Sequence, residues 1–312
     1  MIAKLTRKSV LALLILAASC SKDVVNKSNI PTRPGGDTVK LNIPVTLDNN
    51  NLLLGNPTTA NAILEEDFLI DQYFYIESYS KSRAIPNWTS WHLQSEDYNG
   101  TAKRQDDFRP YTGLPAGWYA VGAGDFNYAS NGFDRGHNCP SGDRTSSVAA
   151  NSSTFYMTNM IPQASSLNQV PWSNLEDFIR STLGSSKEAF VVMGSYGKGG
   201  TGSGQTGVKE TIDNAGKIVV PRKVWKIVVI IDKQDGDLAR IHSNNTTVIA
   251  VDMPNRNELY TGSGKATAWR GYLTSVKNLE DSVKANTSFA NFDLMRNIND
   301  SIKVKLKAQI FQ

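Results

Sequence analysis

The chain has 312 residues, a formal net charge of +4 at pH 7, 40% hydrophobic and 20% charged residues, and two cysteines. That much apolar material in a chain of this length supports a sizeable core and excludes a wholly disordered or acidic solvating protein. Two cysteines exclude a disulfide-rich scaffold.

Lys4, Arg7 and Lys8 precede an apolar run at 10–18 that is too short to span a bilayer as a helix. Cys20 follows the small residues Ala17, Ala18 and Ser19, and the whole resembles a bacterial lipoprotein signal, in which the cysteine is acylated and becomes the new N-terminus. Residues 1–19 are therefore expected as a signal peptide and Cys20 as the lipidation site; plain secretion with cleavage at the small residues is the alternative. The leader takes three basic residues and no acid with it, so a mature chain carries +1 and its global charge does not announce a nucleic-acid binder. Affinity for phosphate must then come from a local basic face and be salt-sensitive. With Cys20 acylated, Cys139 is left alone and no intramolecular disulfide forms. His137 and Cys139 have no further cysteine beside them, so a buried apolar thiol is favoured over a zinc ligand.

Residues 20–64, rich in Asn, Thr, Pro and Gly, read as a flexible tether, with an edge strand at 38–47 limited by Pro44. Residues 65–312 read as one domain. FYIESYS and WTSWHLQ alternate on either side of KSRAIPN, which predicts a hairpin over 74–94. Runs rich in Val and Ile at 190–195, 224–232 and 248–252 predict buried strands. Helices are predicted after Asn168, over about 271–286, and at the C-terminus, where Ile298, Ile302, Leu306 and Ile310 repeat every four residues. The mixture predicts an α+β fold on a central, mainly antiparallel sheet. Between two strands, the glycine-rich run 196–207 lacks the spacing of a phosphate-binding P-loop and predicts a flexible surface loop.

Chemistry is concentrated at 133–176. DRGH at 134–137 contains His137, one of three histidines; an imidazole of ordinary pKa accepts a proton at neutral pH, and an adjacent arginine forks onto phosphate oxygens. The pair suits attack of water on a phosphodiester, with a surface turn as the plain alternative. MTNMIPQ, LNQVPW and NLE follow in that order, and Leu175, Phe178, Ile179 and Leu183 form the apolar stripe of a helix. Pro171 suits a first helical turn. If that helix begins near Asn168, Asn168 and Glu176 lie within about 80° of each other on its surface, and one small site holds both.

The order DRGH, TNMxPQ, LNQxxW, LE resembles the DNA/RNA non-specific endonucleases of the ββα-metal type. The resemblance runs from about residue 65 to the C-terminus, through KRQDDF at 103–108, FVVMGSYG, IVVPRKVWKIVV and IAVDMPN. It implies a ββα-metal nuclease fold, with helices flanking the sheet, and cleavage of DNA and RNA without sequence preference through phosphate-backbone contacts. It also implies His137 as the general base and Asn168 as the one direct protein ligand of Mg2+. Glu176 would hold a water of that ion, Arg135 and Arg104 would contact the phosphate, and Asn159 would lie near metal and base. Mn2+ is the alternative ion, since one oxygen ligand with waters accepts either. Blander roles remain open: a turn residue for Asn159, a helix cap for Asn168, a solvated first-turn acid for Glu176, an exposed loop for Arg104. Two other readings of the whole chain are an envelope lipoprotein that keeps the fold with lapsed catalysis, and a phosphodiesterase on another substrate; the complete set His137, Asn168 and Glu176 favours a nuclease. With His137 at its ordinary pKa, activity is expected to fall between pH 8 and pH 5.

Overall fold

The computed structural model describes residues 48–212 and 216–312. Its spine is assembled from strands far apart in the chain. β1 (Phe68–Asp71), β2 (Ile76–Ser80) and β3 (Ile85–Gln94) come first, then a separate pair, β4 (Phe133–His137) and β5 (Met160–Ala164), and finally β6 (Lys187–Tyr196), β7 (Lys223–Asp232) and β8 (Thr247–Pro254). Six of them form one antiparallel sheet in the order β1-β2-β3-β6-β7-β8, while β4 and β5 pair only with each other. β3, β6 and β7 are buried almost end to end because the sheet is covered on both faces, which is why β6 and β7 read as mainly apolar runs while β3 buries polar residues among its tryptophans.

One face packs Trp91, Val191, Val224 and Val228 against Met160, Ile161, Leu175 and Ile179. The other packs Trp88, Phe190, Trp225 and Ile227 against Leu279, Val283, Leu294 and Leu306. The α+β class and the antiparallel sheet expected from the sequence are both present. The expected hairpin forms, and β3 starts earlier than its alternating pattern, at Ile85. Pro86 is tolerated inside it because the register shifts between Ser78 and Tyr79, where a bulge interrupts the ladder.

Two expectations change. Residues 48–64, placed in the tether, belong to the fold: Leu53 and Leu54 are buried in the second core, and Leu54 O accepts from Asn297 N at 3.0 Å. The signal peptide, Cys20 and the strand proposed at 38–47 lie outside the described residues. The glycine-rich run is not a loose surface loop at its centre. Thr201 N donates to Asn255 O and Ser203 N to Gly132 O, and a Cβ on Gly202 would stand 2.1 Å from Asn131 O, so only glycine permits this approach. The helices lie close to where periodicity placed them, at Ser173–Leu183, Val276–Asn286 and Asp300–Ala308. The last stops before Ile310, which is exposed.

β4, β5 and the helix Ser173–Leu183 all belong to the connection between β3 and β6. Asn255, fully buried just after β8, clips this insertion to the sheet. Its Oδ1 accepts from Ala164 N at 2.7 Å and its Nδ2 donates to Pro162 O at 2.8 Å and Pro221 O at 2.9 Å. We expect Asn255→Ala to lower the unfolding free energy by about 2–5 kcal/mol, because three buried backbone groups lose their partner. Urea unfolding measures this as a lower midpoint at unchanged slope; a loss under about 0.5 kcal/mol would show that the clip does not hold the insertion.

Candidate active site

β4 and β5 pair with Asp134 opposite Gln163, Gly136 opposite Ile161 and His137 opposite Met160. Glycine is required in DRGH, since a Cβ at Gly136 would stand 2.3 Å from Gln163 Oε1 and 2.5 Å from Gln163 Cβ. Just beyond His137 the chain is held by Asn159. This buried amide accepts from Cys139 N and donates to Cys139 O and Thr154 O, each at 2.9 Å, while Asn159 O accepts from Asn138 N. Its side chain is fully committed to backbone. Asn159, expected beside metal and base, therefore acts as a positioning residue for the turn after His137. Cys139 is a free, fully buried thiol in that turn, its pKa raised by burial.

Two phenylalanines organise the basic side chains. Phe155 meets the His137 ring edge-on, with centroids 5.0 Å apart, and Phe108 lies 5.7 Å from that ring and 4.9 Å from Phe155. The Arg135 guanidinium stacks 4.6 Å over Phe108, and that of Arg104 lies 4.9 Å over Phe155, where cation–π attraction fixes a planar cation without neutralising it. Arg104 also donates to Ser141 Oγ at 2.8 Å and pairs with Asp106 at 2.6 Å. Arg104, Arg135 and His137 are thus gathered as the sequence suggested, and Phe108 and Phe155 are the part it did not reveal.

His137 Nε2 and Arg135 Nε are buried without a hydrogen-bond partner. Burial, and after it the Arg104 cation, push the His137 pKa down to about 3, against the opposing effect of a hydrogen bond to the Arg135 backbone. The imidazole is therefore neutral throughout the physiological range. The expectation of an ordinary histidine that protonates near pH 6.5 is corrected, because low dielectric and a neighbouring cation both disfavour the charged ring.

The third element approaches as a helical rod with an irregular middle. Residues Ser165–Leu167 are α-helical, Asn168–Trp172 form a π-helical turn, and Ser173–Leu183 continue as α-helix. Pro171 lies inside the wide turn rather than in a first turn; lacking an N–H, it leaves a gap in the α ladder that a π turn accommodates. The angle expected between Asn168 and Glu176 on a regular α-helix therefore does not apply.

Asn168 Nδ2 donates to Asp134 Oδ2 at 2.9 Å, and Gln169 Nε2 donates to the same oxygen at 3.0 Å. Asp134 of DRGH thereby orients the Asn168 amide and directs its oxygen, the only cation ligand it possesses, away from the nitrogen's bond. Glu176 is half-buried against Lys226, whose Nζ donates to Glu176 Oε1 at 3.1 Å. That ammonium is 1% exposed and lies 4.7 Å from the Trp172 ring and 5.6 Å from that of Trp91. Burial raises the Glu176 pKa, and Lys226 opposes the rise. One turn further along, Arg180 pairs with Asp143 at 2.6 Å and Asp177 at 2.7 Å. The sequence signals for these partners were a lysine inside the run VWKIVV and an arginine four residues after Glu176. Asn168 and Glu176 supply hard oxygen donors, the chemistry that suits Mg2+ or Mn2+.

The model of the DNA/RNA non-specific endonuclease family matches residues 58–293, including seven residues assigned to the tether. A nuclease of Nostoc sp. is 37% identical over 262 residues, covering 83% of this chain and 85% of that protein. Mitochondrial nuclease EXOG of Danio rerio is 31% identical over 157 residues, and human mitochondrial endonuclease G is 30% identical over 158; each match covers 50% of this chain, and 45% and 52% of those proteins. The chain thus spans about half the length of these mitochondrial relatives. A solved EndoG/EndoGI complex shares the fold, with a TM-score of 0.58 at 21% identity over 78% of this chain and 91% of the matched one. The ββα arrangement of DRGH strand, partner strand and helix, the sheet behind it and a family match over three quarters of the sequence lead to one conclusion: this chain belongs to the DNA/RNA non-specific endonucleases, a family of nucleic-acid hydrolases.

Proposed function

We propose that the protein is a metal-dependent endonuclease that hydrolyses phosphodiester bonds of both DNA and RNA without sequence preference, carried on the bacterial cell envelope by a lipid on Cys20. The observation that supports the catalytic reading best is the unpartnered, neutral Nε2 of His137, flanked by Arg104 and Arg135 on two aromatic faces. That nitrogen accepts the proton of the attacking water. Arg135 and Arg104 neutralise the phosphate oxygens, positioning the phosphorus and stabilising charge as it develops. Asn168, turned by Asp134, would hold the ion, and Glu176, paired with Lys226, would orient water around it. Mg2+, or Mn2+ in its place, supplies Lewis-acid stabilisation of charge on the phosphate and the leaving oxygen when bound. A phosphate between the arginines also offsets the Arg104 cation that depresses His137, so the ring becomes more basic once substrate is in place.

The direct experiment incubates supercoiled plasmid and an RNA transcript with the protein in Mg2+ or EDTA, beside His137→Ala. We expect both substrates to be cut only with metal, and cutting to fall by about 10²–10⁴ in the variant. No cutting by the wild type, or equal cutting by the variant, would favour a binding module with lapsed catalysis or a different phosphodiester.

The pH dependence carries a sign. A folded-state pKa below the unfolded value near 6.5 leaves His137 neutral until well below pH 5, so kcat/KM should show no loss centred near 6.5. A histidine limb with that midpoint would refute the buried, neutral base. By linkage, the unfolded chain binds the His137 proton first, so this group destabilises the fold as pH falls below about 6.5.

For the envelope, metabolic labelling with palmitate should mark the wild type and not Cys20→Ala, which should move from membranes to the soluble fraction. Equal labelling of the two would remove Cys20 as the anchor.

A further inference from the structure

A cavity of about 570 Å³ opens between the β2–β3 turn, the start of the glycine-rich run and the end of the helix Val276–Asn286. That helix covers the sheet face opposite to the one on which β5 and the site helix pack. We propose that this cavity is a second phosphate-binding site, built on Arg83 and Arg222.

Arg83 is a cation without a carboxylate partner. Its Nη1 donates to the Asn87 amide oxygen at 3.3 Å, while its Nη2 is buried with no hydrogen-bond partner. The acid nearest to hand, Glu66, is already committed: Ser80 Oγ and Ser82 Oγ each donate to it at 2.6 Å, and Ser82 N donates as well. Arg222 enters from the other wall and donates to the Asn286 amide oxygen, again an uncharged partner. Lys198 also lines the cavity, paired at the exposed rim with Glu210 at 2.9 Å, so it adds the least. The balance is three cations against two acids, with the two arginines held by amides.

A buried guanidinium N–H without an acceptor is costly, and a phosphate oxygen is the acceptor that matches its planar fork. The cavity exceeds what a lone phosphate fills, leaving room for an attached nucleoside. Binding here needs no hydrolysis, so the inference stands apart from the roles of His137 and Asn168.

The test uses the full chain in EDTA, which prevents cutting. Thermal unfolding is followed with sodium phosphate, thymidine 5′-monophosphate, or a thymidine oligonucleotide bearing hydroxyls at both ends, each against sodium chloride of equal ionic strength. At about ten times Kd a bound phosphate should raise the Tm by roughly 3–6 °C, and Arg83→Gln and Arg222→Gln should each abolish most of that shift. A shift with phosphate or the monophosphate assigns the site to free or terminal phosphate; one with the oligonucleotide assigns it to chain phosphodiesters. Should Arg83→Gln fail to fold, Arg222→Gln decides alone, since that side chain is exposed. The proposal is overturned if no probe moves the wild type, or if the variants shift as far as the wild type does.

Discussion

Lys226 stands in the middle of β7, the strand flanked by neighbours on both sides of the central sheet, with 1% of its side chain exposed. A buried ammonium is expensive unless an anion meets it, and Glu176 on the site helix is that anion. The pair fixes the rotation of the helix against the sheet more narrowly than Leu175, Ile179 and Leu183 alone would, because an apolar stripe tolerates small slips and a buried ion pair does not. Trp172 and Trp91 close over the same ammonium, at 4.7 Å and 5.6 Å. The site helix is thus tied to the sheet by charge as well as by its apolar stripe.

The hairpin opposite is organised by a different economy of charge. Arg104 and Arg135 are both seated on aromatic rings, which attract a guanidinium and leave it cationic. Burial, with the Arg104 cation adding to it, lowers the His137 pKa and keeps the ring neutral. Two guanidinium groups and a neutral imidazole are thus gathered by the same pair of aromatic rings, Phe108 and Phe155. The Asp134 carboxylate receives Asn168 and Gln169 and so joins the first strand of the motif to the helix.

Much of this was legible in the residues. The strands β6, β7 and β8 were visible because a sheet covered on both faces favours apolar residues, Val and Ile above all, on both sides of a strand, and the helix after Asn168 because its buried stripe repeats at 3.6 residues. β4 and β5 were not visible as strands. FDRGH is mostly polar and MIPQA is short and interrupted by Pro162, so the alternation that marks a strand is absent, and their pairing shows only once they face each other. The segment 48–64 is polar in composition and reads as a tether, yet Leu53 and Leu54 suffice to dock it, because two fully buried leucines and a backbone hydrogen bond are local facts that average composition hides.

By itself the sequence determined the family and the α+β class, and it singled out the side chains on which the proposed chemistry rests, since these depend on the order and identity of residues in a motif. The tertiary structure decided their states and partners: that His137 is neutral, that Asn159 is spent on backbone, that Glu176 answers a lysine fifty positions away, and that Arg83 is left with an unmet donor. The reason is physical. Protonation and hydrogen bonding are set by dielectric and by distances of a few ångströms between groups remote in the chain, and those exist only after the fold has closed.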